Sequence, residues 1–180
     1  MNDFNKKCTI IYPAKNDNYN KYFLSRLNYV LEHTANLIRE LNIEDYFELN
    51  VVDWGSENKI SENLLISKEN KNLISFFEVS KNISLSESKK KYGYFNQPKV
   101  INVSIRRTKS DYMLFTSHDL VFSKQSLLNL YNYLNYKIVS KQIVESSFIN
   151  IQRYFLPKDL TINTPSFNFL NYWLANYSYL

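Results

Sequence analysis

The residues able to do chemistry follow short apolar runs. Carboxylates occur at Asp17, after the run 8–12; at Asp53 and Glu57, after the run 47–52; and at Asp119, beside His118, after the run 112–115. Basic groups stand in or between the same segments, at Lys15, Lys99, Arg106 and Arg107. The formal net charge of +5 favours an anionic partner. Nucleic acid, a phosphorylated small molecule and an acidic membrane surface all meet that description. The one tight basic cluster, Lys89-Lys90-Lys91, reads as a solvated loop.

Several chemistries are excluded by composition. The chain has two glycines, Gly55 and Gly93, so neither a Walker loop nor a dinucleotide fingerprint can be built. The single cysteine, Cys8, has no partner for an intramolecular disulfide, and one Cys with His33 and His118 cannot make a zinc cage. Apolar runs fall short of the roughly 20 residues of a membrane span, and the opening segment is too short for a secretory signal. A reducing, cytoplasmic setting is therefore expected.

The elements that must position these groups alternate. Residues 8–12 form a nearly continuous apolar run closed by Pro13, as in a buried parallel strand. Phe23, Leu27, Val30, Leu31, Ala35 and Ile38 recur at helical spacing within 19–41. A second strand is predicted over 47–52, with its turn at 53–56, then a short helix through Ile60 and Leu64, and a third strand over 73–79. Residues 80–94 are polar and lysine-rich and are predicted to be a loop. A helix over 97–108 with Pro98 in its first turn, a strand over 111–116 and a helix capped by Ser123 follow. Beyond Tyr136 the pattern weakens. Residues 143–151 could form a strand, and the aromatic tail 167–174 either docks in a core or belongs to a chain that stops before its partner segment.

This alternation predicts an α/β fold with an open, mostly parallel sheet flanked by helices, in a single domain over 1–180. In such sheets ligands lie beyond the carboxyl ends of the strands, near a topological switch point. The candidate site is therefore the set of loops 13–17, 53–57, 80–82 and 117–119.

Those loops resemble a known family. Residues 9–17, Thr-Ile-Ile-Tyr-Pro-Ala-Lys-Asn-Asp, resemble the opening strand and loop of family 2 glycosyltransferases with the Rossmann-like GT-A fold. Residues 51–57, Val-Val-Asp-Trp-Gly-Ser-Glu, resemble the family's Asp-Asp-Gly-Ser-x-Asp motif. Residues 102–115 resemble its Asn-x-Gly-x-x-x-Ala-x-Gly-Asp-Tyr helix and strand, and Ser117-His118-Asp119 falls where the family keeps Asp-x-Asp. The resemblance spans 9–122. It implies a nucleotide-sugar donor half over 8–122 and a partial acceptor side over 123–180.

The implied activity is metal-dependent transfer of a sugar from a nucleotide-diphosphate donor, such as a UDP-sugar, to a hydroxyl of a glycan or lipid-linked acceptor. Bacterial surface polysaccharide synthesis is the usual setting, and a peripheral association with the inner membrane face is compatible with it. Asp53 would then accept a hydrogen bond from the uracil N–H, or else only cap the turn before Gly55. Pro13, Ala14 and Lys15 would wall the base, and Asp17 would reach the ribose or cap the following helix. Trp54 is read as packing rather than stacking. Asp119 would hold Mn²⁺ or Mg²⁺ against the diphosphate, with Ser117 and His118 beside it, because hard cations need only one or two carboxylates besides the substrate. Lys99 and Arg106 would supplement that charge, and Arg107 reads as helix surface.

The departures from the family pattern matter. Ser117 replaces the first aspartate, Ser104 and Ser110 replace glycines, and the Glu-Asp pair that supplies the family's catalytic base has no counterpart after Leu156. Asp159 is the one carboxylate there and is assigned no role; the catalytic base is unknown. A catalytically impaired sugar-nucleotide-binding or scaffold protein of the same fold is thus the alternative. Tyrosine and phenylalanine interleaved with lysine would also suit single-stranded nucleic acid, but the apolar spacing reads as core, so no nucleic-acid partner is expected.

Overall fold

The computed structural model describes residues 7–17, 21–88 and 95–139. In chain order these form β1 (Cys8–Ala14), α1 (Phe23–Glu40), β2 (Phe47–Asp53), α2 (Ile60–Asn63), β3 (Ile74–Glu78), α3 (Lys81–Ser88), α4 (Gln97–Arg107), β4 (Tyr112–Phe115) and α5 (Lys124–Val139). The strands make one sheet in the order β3-β2-β1-β4, and every pairing is parallel. The described residues thus form an α/β structure with an open, all-parallel four-stranded sheet. The chain divides into two compact units, Met1–Val121 and Phe122–Leu180.

β1 is central because its sequence tolerates burial on both faces. Cys8 through Tyr12 are all buried, and Ile10, Ile11 and Tyr12 have no exposed surface. Tyr12 turns to one face, where its hydroxyl donates to Thr34 Oγ1 of α1 at 3.2 Å. Ile11 turns to the other and joins Val52, Trp54 and Val100 of α4 in a core cluster. Helices therefore cover both faces, as parallel sheets require.

α1 follows from the apolar stripe read in the sequence: Phe23, Leu27, Val30, Leu31, Leu37 and Ile38 are all buried. It ends where Asn42 takes a left-handed φ of 54°. Ile43 N–H then reaches Ile38 O at 3.1 Å and Asn42 N–H reaches Arg39 O at 2.9 Å, the paired closure of a Schellman stop. α4 starts at Asn96, whose side chain accepts from Lys99 N, with Pro98 in the first turn as expected. Thr116 N–H continues the β4 ladder onto Ile11 O at 2.9 Å, which fixes the start of the loop that follows.

One element departs from the sequence reading. Residues 81–88, expected within a loop, are helical. The cause is tertiary. Ser84 is buried under the turn at Gly55, and its N–H is satisfied by Ser80 O at 3.1 Å. In the second unit, Ser123 Oγ accepts from Ser126 N–H at 3.0 Å and starts α5, on which Leu127 and Leu134 are buried. The strand expected over 143–151, the aromatic tail, Asp159 and the Lys89–Lys91 cluster lie outside the described residues. Among the described residues no helix is long and apolar enough to cross a membrane.

Candidate functional site

Sheet order reverses at β1: the chain runs outward to β2 and β3 on one side and places β4 on the other. A crevice of about 270 Å³ opens at the carboxyl ends of β1 and β4. Pro13, Ala14, Lys15 and Asp17 line it from the β1 exit and His118 from the β4 exit. Phe23, at the start of α1, and Phe95, just before α4, complete the wall. This is the position at which open parallel sheets bind ligands. Two aromatic rings, a lysine and a carboxylate give it both an apolar wall and charge.

The crevice rests on a rigid loop. Asp53 ends β2 and is 2% exposed. Its Oδ1 accepts from Ser56 N–H at 2.9 Å and from Ser56 Oγ at 2.5 Å, and its Oδ2 accepts from Ile60 N–H at 3.1 Å. Of the two roles open to it from the sequence, turn cap and base reader, it fills the first here. Ser56 Oγ also accepts from Asn16 N–H at 2.7 Å, and Trp54 N–H donates to Ala14 O at 2.8 Å. The β1 and β2 exits are thereby tied together. Lys15 Nζ donates to Ser84 Oγ at 3.3 Å, which ties the β1 exit to α3 as well. Trp54 is buried, as its packing role requires.

Gly55 makes this arrangement feasible. Its φ of +66° favours glycine, and a Cβ there would lie 2.6 Å from Ser84 Cβ and 3.2 Å from Lys81 Cα.

At the β4 exit, the His118 ring packs tilted on Phe23, with centroids 4.9 Å apart. Burial holds its pKa below the ordinary histidine value; Asp119 pulls it up and Arg26 pushes it further down. The neutral imidazole is therefore favoured. Ser117 is half-buried, and its carbonyl accepts Leu120 N–H at 3.2 Å to close the turn. Asp119 is exposed, and among the described residues its carboxylate accepts no hydrogen bond.

Of the β4-exit residues only His118 lines the crevice; Ser117 and Asp119 are not among its lining residues. A divalent cation at this exit would meet one open carboxylate, Asp119, with the His118 imidazole next to it in the chain. Among the described residues no group of three or more His, Cys, Asp or Glu side chains is gathered. A hard cation fits such a set when ligand oxygens complete its shell, as Mg²⁺ does with phosphates.

The remaining cationic candidates lie elsewhere. Lys99 and Arg106 do not line this crevice. They border a separate cavity between α3, α4 and β3, and Arg107 borders it too. Lys99 is paired there with Glu87 of α3. The sequence alone does not fix which way α4 faces, and so does not separate Lys99 and Arg106 from the strand-end loops. Nor does it single out Phe23 and Phe95 as crevice residues. Phe23 was open to notice as the first apolar residue of the helix leaving β1, since that helix start necessarily borders the strand end.

The sequence matches no protein-family model and no curated protein.

Proposed function

We propose that the chain is the donor-binding part of a glycosyltransferase of the family 2, GT-A type, and that it moves a sugar from a nucleotide-diphosphate donor to a hydroxyl acceptor. One observation carries this reading. The β1-exit segment 13–17 and the β4-exit segment around His118, which resemble separate family motifs about 100 residues apart in sequence, border a single crevice at the switch point.

The crevice volume suits one end of a nucleotide rather than a whole donor. Phe23 and Phe95 offer apolar faces for a base, and Lys15 offers positive charge for phosphate. α1 begins at the crevice wall, so the positive end of its dipole favours an anion there. Asp119, with His118 at its side, would hold Mn²⁺ or Mg²⁺. When bound, that cation would neutralise charge developing on the departing diphosphate. Asp53 acts from below, holding the 53–57 turn and, through Ser56, the 13–17 loop in place.

Incubation with a panel of UDP-sugars and Mn²⁺ tests the reading through UDP release. Release that requires metal and is lost in Asp119→Asn supports it. Absence of release with every donor, despite UDP binding, would instead favour the non-catalytic sugar-nucleotide binder, a reading to which Ser117 in the place of a carboxylate already points.

A further inference from the structure

The cavity that holds Lys99 and Arg106 is larger than the crevice, about 490 Å³, within the range of small-molecule sites. Its floor is apolar. Phe77, Val79 and Val103 pack on the core cluster of Ile11, Val52, Trp54 and Val100 and remain only partly covered by it. Ile83, on the α3 side, is 53% exposed.

The rim is unbalanced in charge. Lys99, Asn102, Val103 and Arg106 follow one another at the spacing of a single helix face, and Arg107 joins them at the end of α4. The acidic groups of the rim are already engaged. Glu87 pairs with Lys99, while Glu78 accepts from Ser61 at 2.6 Å and pairs with Lys59 at 3.1 Å. Among the described residues neither Arg106 nor Arg107 has an ion-pair partner. Trp54, which lines the same cavity, is 2% exposed, and among the described residues its indole N–H has no acceptor. A buried donor without an acceptor is uncommon in a folded protein. The charged side chains left unpaired on the rim among the described residues, Arg106 and Arg107, are both donors, as is the Trp54 indole.

We infer that this cavity binds a small organic anion with a flat apolar body, its carboxylate or phosphate head held by Arg106 and Arg107. The floor takes the body, and the guanidinium groups, which match carboxylate and phosphate oxygens in pairs, take the head. This site is separate from the β1/β4 crevice and does not depend on the function proposed for it.

The probes are 8-anilinonaphthalene-1-sulfonate and N-phenyl-1-naphthylamine, which share an arylamine body and differ in the anionic head. Fluorescence titration of the intact chain should show one saturable site for the sulfonate. The double substitution Arg106→Gln/Arg107→Gln should weaken the sulfonate about tenfold or more, as the loss of hydrogen bonds from charged donors implies, and leave the neutral amine unchanged. Val103→Trp, which fills the floor, should weaken both probes. UDP with Mn²⁺ should displace neither. Equal effects of the arginine substitutions on both probes, no effect of Val103→Trp, no saturable sulfonate site, or displacement by UDP with Mn²⁺ would each overturn the inference.

Discussion

The Asp53 carboxylate is committed to its own loop, and its three hydrogen bonds make it a determinant of stability before it can be one of recognition. Asp53→Ala strands the Ser56 and Ile60 donors in a buried turn. The expected loss is at least about 2 kcal/mol of unfolding free energy, because hydrogen bonds to a charged acceptor contribute about 1.5–3 kcal/mol each. Urea denaturation measures it, and a loss under about 0.5 kcal/mol, the ordinary surface range, would refute the capping role. Asp119 is the opposite case. It is exposed and accepts no hydrogen bond from the described residues, so Asp119→Asn should leave stability within about 0.5 kcal/mol of the parent. Calorimetry of the same variant should show UDP affinity that no longer differs between Mn²⁺ and EDTA. A retained difference would remove Asp119 from the site. Both residues stand out in the sequence as carboxylates at strand exits. Their division into a buried cap and an open carboxylate does not, because it depends on whether neighbouring backbone amides turn back toward the carboxylate.

At the scale of elements, the docking of α3 on the β2 exit is what shapes the loops around the crevice. It hinges on Gly55. Gly55→Ala would place a Cβ 2.6 Å from Ser84 Cβ at a φ of +66°. The expected cost is about 2–4 kcal/mol, combining left-handed strain with overpacking. Adding Ser84→Gly should restore the steric share and leave the backbone share, which thermal denaturation of the two variants separates. Equal stability of Gly55→Ala and the parent would mean that α3 does not press on this turn. α3 is also the element the sequence conceals. Ile83 and Leu85 are 53% and 44% exposed, so no apolar stripe marks the helix. Its reason for being lies in Ser84 and Gly55, 29 positions apart in the chain. β1 and α1 were legible for the converse reason: burial on both faces and burial on one stripe each leave a pattern within a short window.

At the scale of the whole molecule, the parallel sheet and the place of the crevice follow from the strand–helix alternation, since a switch point must arise where β1 is flanked by strands reached in opposite directions. The second cavity does not follow from it. Its walls are α3, whose helicity the sequence did not announce, and one face of α4, whose orientation is set by packing on Ile11 and Val52. The central strand also carries a reporter of global opening. Cys8 is 1% exposed, and burial, with Glu48 adding a smaller push, raises its thiol to about 12. Being the sole cysteine, it should resist iodoacetamide in native buffer and react once denaturant unfolds the sheet. Fast labelling without denaturant would show that β1 opens far more readily than a central strand should.

The most direct test of the proposed function is a crystal structure of the intact chain soaked with UDP and Mn²⁺. Nucleotide density is expected between the loop 13–17 and the turn at Ser117, His118 and Asp119, with the metal against the Asp119 carboxylate. Density confined to the cavity of Trp54 and Val103, or an empty crevice at saturating UDP, would contradict it.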